Sequence, residues 1–79
     1  MITVLQTYGL RVVIFRFDHE PPHVHVIGDG VARIFLGDAT HPPVIDYAKG
    51  MNNAEQRRAL KAVKEAQMEL LKQWSRIHG

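Results

Sequence analysis

Residues 23–36 read His-Val-His-Val-Ile-Gly-Asp-Gly-Val-Ala-Arg-Ile-Phe-Leu, two runs rich in β-branched residues divided by Gly28-Asp29-Gly30. A glycine-bracketed turn between two such runs predicts a β-hairpin. Its register follows from the pattern, because side chains alternate between faces and a slip of one residue sends a whole set to the wrong side. A two-residue loop, Asp29-Gly30, sets His25 opposite Ile34 and Val26 opposite Arg33, which mixes polar and apolar groups on both faces. A three-residue loop, Gly28-Asp29-Gly30, puts Val24 and Val26 on one face with Ala32, Ile34 and Leu36. It also sets His25 opposite Arg33 and His23 opposite Phe35. The second register segregates the residue types, and glycine supplies the left-handed residue such a loop wants. His23, His25 and Arg33 are therefore expected to share a face.

Outward from the hairpin, Leu10 to Phe17 carries apolar residues on both faces, as a central strand does. Ile2 to Thr7 precedes it as a partner strand, turning at Tyr8-Gly9, and Phe15 and Phe17 read as core. Pro42-Pro43 breaks the chain before a short edge strand, Val44 to Tyr47. The strands thus fall within about residues 1–47. Beyond them the apolar period changes to that of a helix, opened near Asn52 by a capping-box pattern, Asn52-Asn53-Ala54-Glu55, and spanning about residues 53–77. At 100° per residue Leu60, Val63, Leu70, Leu71, Trp74 and Ile77 form one stripe that covers the sheet, with Trp74 as its anchor. Arg57, Lys61, Lys64 and Lys72 gather along one border as a basic edge. The expected fold is α+β: a small antiparallel sheet of four or five strands against one long C-terminal helix.

Composition bounds the rest. A chain of 79 residues makes one domain, and one of this size buries only about 60% of the surface its unfolded form exposes. There is no cysteine, so disulfides and thiolate metal sites are excluded and a metal would have to be held by His, Asp or Glu. No apolar run is long enough to span a membrane, and the first residues lack the basic start of a signal peptide, so a cytoplasmic protein is expected. A formal charge of +2 is mildly basic, and where the charges sit matters more than their sum.

Chemistry concentrates in residues 18–26, Asp-His-Glu-Pro-Pro-His-Val-His-Val, which hold three of the chain's five histidines and two carboxylates around a stiff Pro-Pro corner. Imidazole can exchange protons or bind a metal near neutral pH, its ordinary pKa being ~6.5. In a His-x-His strand the two rings point the same way, ~6 to 7 Å apart along the chain, as in some zinc sites. On that reading His23 and His25 need a third ligand folded back across the corner: His19, Asp18 or Glu20.

The same segment, followed by a glycine turn, the basic residue of Ala32-Arg33-Ile34 and a helix ending in Leu70-Leu71-Lys72-Gln73-Trp74, resembles the bacterial family called domain of unknown function 4160. The likeness covers nearly the whole chain. It implies small cytosolic proteins, often encoded beside another short protein in an arrangement suggestive of a toxin–antitoxin pair, and it carries no catalytic residues across.

The residues leave three functions open, and whether the protein is an enzyme with them. The preferred expectation is a module that binds RNA or a cognate small protein without needing a cofactor. As a toxin-like ribonuclease it would use His23 and His25 as acid and base and Arg33 or Arg16 as the cation that stabilises the phosphorane. Arg16, Arg57, Lys61, Lys64 and Lys72 would then meet the nucleic acid or partner. The alternative is a divalent-metal domain using His23 and His25 with His19, Asp18 or Glu20. The third is a non-catalytic interaction module, and exposed sheet edges allow a homodimer or association with a second protein.

Overall fold

The computed structural model describes residues 1–79. Five strands form one antiparallel sheet in the order of the chain: β1 (Ile2–Thr7), β2 (Leu10–Ile14), β3 (His23–Ile27), β4 (Val31–Phe35) and β5 (Val44–Lys49). The β3–β4 pairing sets His23 opposite Phe35, Val24 opposite Ile34, His25 opposite Arg33 and Val26 opposite Ala32. This is the register of the three-residue loop. It follows because Val24, Val26, Ala32, Ile34 and Leu36 all reach the core with no residual exposure, a burial that a one-residue slip would forfeit.

The helical region differs from the single helix expected. Helix α1 (Asn53–Glu65) and helix α2 (Gln67–His78) are separated at Ala66, whose φ of −111° and ψ of 14° leave the helical range. The side-chain amide of Gln67 donates to the carbonyl oxygens of Leu36, Asp38 and His41 at 2.8, 2.9 and 3.0 Å. The interruption thus falls beside the residue that ties the helices to the β4–β5 connection. The expected stripe lies against the sheet all the same: Val63, Leu70 and Trp74 join Val12, Ile14, Val24, Val26 and Ile34 in the core, with Leu60, Leu71 and Ile77 packed on its margin.

At the helix start, Asn52 Oδ1 accepts the Glu55 N–H at 2.8 Å, which satisfies one orphan donor of the first turn. The buried Glu55 carboxylate turns to the hairpin loop and accepts the N–H groups of Asp29 at 3.0 Å and Gly30 at 3.4 Å. A side chain at Gly30 would collide with the backbone of Lys49 and Gly50, so the loop needs glycine for close approach and not for the left-handed conformation expected, since neither Gly28 nor Gly30 has a positive φ.

Strand β2 stops at Ile14, short of the expected Phe17. The Asp18 carboxylate accepts the Phe15 N–H at 3.2 Å, and the Asp18 N–H donates to the Phe15 carbonyl at 3.1 Å. That closed turn removes the two phenylalanines from the core. Phe15 is exposed at the turn and Phe17 is 87% exposed, which corrects the reading of both as core. No helix is long and apolar enough to cross a membrane.

Candidate functional site

The Phe15–Asp18 turn and the Pro21-Pro22 corner fold the chain back over the start of β3. Leu36 donates its N–H to the Pro22 carbonyl at 3.0 Å, which pins the corner to the far end of β4. His23 opens β3 and is only 2% exposed. Its Nδ1 lies 3.0 Å from the Pro21 carbonyl oxygen. A carbonyl can only accept, so Nδ1 carries the proton, and the Nε2 of a neutral His23 presents a lone pair.

That Nε2 faces Asp18 Oδ2 at 3.3 Å, and the same oxygen lies 3.5 Å from His25 Nε2. The His25 Nε2 is buried and has no hydrogen-bond partner, so its approach to Asp18 is a contact without hydrogen-bond geometry. One donor atom from each of Asp18, His23 and His25 falls within 4.8 Å of the others. Burial, the largest influence, lowers the His25 pKa below its ordinary value. The Asp18 charge opposes this, while His23 and Arg33 add to it. The net effect favours the neutral ring, whose free nitrogen is a ligand and a base.

Aromatic rings close the surroundings. Phe15 meets the His25 ring edge-on at 4.7 Å between centroids, and the His23 and His25 rings are 5.3 Å apart. Trp74 lies 5.2 Å from the His23 ring and stacks on His78 at 3.8 Å. Its indole N–H donates to Glu20 Oε1 at 3.3 Å.

Of the three candidates for a third ligand, the structure brings Asp18 to the histidine pair. Glu20 is engaged with Trp74, and His19 is exposed outside the donor group. Arg33 sits opposite His25 in the sheet, yet its Nε lies 3.4 Å from Asp46 Oδ2 and its guanidinium sits 5.6 Å above the Phe35 ring. Asp46 carries no sign of this pairing in the sequence. It falls where the β4–β5 pairing shifts register, Arg33 pairing with Tyr47 and Ile34 with Ile45, and such a bulge has no signature in residue alternation.

Arg16 is exposed and lines a cleft of about 560 Å³ with Met1, Ile2, Phe15, Phe17 and Asp18. On the helix, Arg57, Lys61 and Lys64 line a second, shallower groove of about 380 Å³ with Leu60, while Lys72 is exposed elsewhere on α2. Lys61 is held over the Tyr8 ring at 5.5 Å, and the Tyr8 hydroxyl donates to Glu65 Oε1 at 2.7 Å. That bond to a carboxylate raises the Tyr8 pKa.

A family model described as Domain of unknown function (DUF4160) matches residues 9–75, a span that includes Asp18, His23, His25, Arg33 and the basic groove. No curated protein and no solved structure matches the chain.

Proposed function

We propose that this chain, which belongs to the family of Domain of unknown function DUF4160, binds a divalent transition-metal ion through Asp18, His23 and His25. The observation that carries the proposal is the single oxygen, Asp18 Oδ2, set 3.3 and 3.5 Å from the two Nε2 atoms. A carboxylate facing nitrogen lone pairs is repulsive unless a cation, a proton or a metal, sits among them. The Pro21 carbonyl holds His23 in the tautomer whose Nε2 is free, the outer-shell arrangement usual for metal-ligating histidines. Two imidazoles and a carboxylate suit zinc, iron, nickel, cobalt or manganese. Three protein ligands leave a position for water, whose pKa a bound zinc lowers to ~7, so the ion would supply a hydroxide at neutral pH. Asp18, His23 and His25 would hold the ion, and His23, buried between Trp74 and Asp18, would fix where it sits.

Trp74 is the only tryptophan and lies 5.2 Å from the His23 ring, so it reports on the site. In tag-free protein, Ni²⁺ or Cu²⁺ should quench its fluorescence saturably, one ion per chain, and H23A with H25A should abolish the saturable component. Non-saturable quenching, equal in wild type and the double variant, rejects the site.

We also propose, from the groove lined by Arg57, Lys61 and Lys64, that α1 offers phosphate contacts to RNA. Such contacts carry affinity without sequence preference. K61E with K64E should lose low-salt RNA retention, and unchanged retention would remove this surface.

A further inference from the structure

The cleft lined by Met1, Ile2, Phe15, Arg16, Phe17 and Asp18 borders the metal ligands directly, since Asp18 belongs to both. Two of its features are unsatisfied within the chain. Phe17 displays nearly its whole ring at 87% exposure and shares the cleft with exposed Phe15 and Met1, and a contiguous apolar patch with polar neighbours marks a binding surface. Arg16, beside it, forms neither an ion pair nor a side-chain hydrogen bond, so a full positive charge stands next to the ring. On the inner side Phe15 joins the cleft to the His25 ring at 4.7 Å. The volume, about 560 Å³, lies within the ~300–1,000 Å³ range of small-molecule sites.

We infer that this cleft takes a nucleotide unit, its base stacked on Phe17 and its phosphate shared between Arg16 and the ion held by Asp18, His23 and His25. This deepens the metal proposal and rests on it. The chemistry of the cleft selects the class. A flat ring is needed to cover an exposed phenyl face, and every base has one. An anion is needed for Arg16, but a bare anion would be repelled by the Asp18 carboxylate. A phosphate can settle there when a divalent ion lies between the two negative groups, because phosphate oxygens are themselves good metal ligands and guanidinium partners. An aromatic carboxylate shares the ring and the charge but offers fewer oxygens to divide between two cations. The same unit could come from a free mononucleotide or from a residue of a single-stranded nucleic acid.

Tag-free full-length chain, loaded with Mn²⁺ or Zn²⁺ or stripped with a chelator, would be titrated with AMP, UMP, benzoate and a fluorescein-labelled single-stranded RNA oligonucleotide. Metal-loaded protein should bind at least one nucleotide probe, more weakly after stripping and more tightly than benzoate. F17A should weaken it roughly five- to a hundredfold, the effect of losing one stacked base, and R16A should weaken it and flatten its salt dependence. Both side chains are exposed, so both variants should fold and keep the Trp74 quenching by Ni²⁺. Binding of AMP or UMP identifies a mononucleotide site, and binding of the oligonucleotide alone identifies a strand; either supports the inference. If Ni²⁺ quenches Trp74 saturably but no nucleotide probe binds, or F17A binds like wild type, or benzoate binds as well as AMP, the inference is overturned and the metal site stands. If quenching is absent, the metal proposal fails first, and the inference with it.

Discussion

Metal binding to the folded chain must appear as thermal stability, with a size that does not depend on knowing the affinity. A ligand that binds only the native state adds RT ln(1 + [L]/Kd) to its stability, so above saturation each tenfold rise in free metal adds about 1.4 kcal/mol. For a domain of 60–100 residues, 1 kcal/mol moves Tm by roughly 4–8 °C, and this chain has 79 residues. Tm should therefore climb about 6–11 °C per decade of free Zn²⁺ or Ni²⁺ once the site is filled. The unfolded chain retains five histidines, and their weak binding lowers the slope toward the bottom of that range. H25A is the informative variant: it removes a half-buried ring, which alters the metal-free Tm through packing alone, but only loss of a ligand flattens the slope. D18N is its complement, since the amide oxygen can still accept the Phe15 N–H that closes the turn while the charge beside the histidines is gone. Differential scanning fluorimetry in metal-buffered solution measures both. A Tm that stays flat in wild type across several decades of Zn²⁺, Ni²⁺ and Co²⁺, or rises equally in H25A, refutes the reasoning from Asp18 Oδ2.

Gln67→Ala, which strips one amide from three carbonyl oxygens, should cost about 1–3 kcal/mol in urea unfolding and increase protease cleavage within residues 37–43. Gly30→Ala forces a Cβ against the Lys49 and Gly50 backbone and should cost about 1–3 kcal/mol or more, read in the same assay; a neutral result would mean that the loop can shift freely. Asp38 is held down at about 2, first by His41 and then by the Thr40 N–H and hydroxyl. Its folded pKa is depressed, so the stability it contributes is present above pH ~4 and is lost as pH falls toward 2; in H41A, NMR titration should move the carboxyl back toward its ordinary value. E55A leaves the Asp29 and Gly30 N–H groups without their acceptor and should destabilise by about 1–3 kcal/mol, with faster amide exchange confined first to the hairpin loop.

The β3–β4 hairpin was legible because its two faces differ in composition, and only one loop length keeps the valines with Ala32, Ile34 and Leu36. The break at Ala66 was not legible. Alanine is the best helix former, and the partners of Gln67 lie 26 to 31 residues away in the chain, beyond any local period. Phe15 and Phe17 misled for a related reason: their β-propensity continues that of β2, whereas the strand is ended by a side-chain acceptor three residues on, Asp18. The pairing of His25 with Arg33 could be read from register, but a guanidinium reaches far from its Cα. Its partner Asp46 is set by a bulge that alternation cannot encode.

The histidine pair could be closed by a carboxylate, which suits a metal, or by an arginine, which suits a phosphate, and the two acids weigh on the metal side. Asp46 lies against Arg33 and offsets part of its attraction for an outside anion, while Asp18 brings negative charge to both Nε2 atoms. A phosphate approaching the bare pair would meet a carboxylate within about 4 Å, a repulsion of about 4 kcal/mol at the effective dielectric of a protein surface. A divalent ion held by Asp18, His23 and His25 would reverse the sign by supplying positive charge between the carboxylate and a phosphate. A metal-free mechanism using His23 and His25 as acid and base must instead hold its substrate against Asp18, with Arg16 as the nearby unpaired cation. Asp18→Asn separates the two cases. It relieves the repulsion and should strengthen phosphate binding if no metal is involved, and it should weaken that binding if the ion is the bridge.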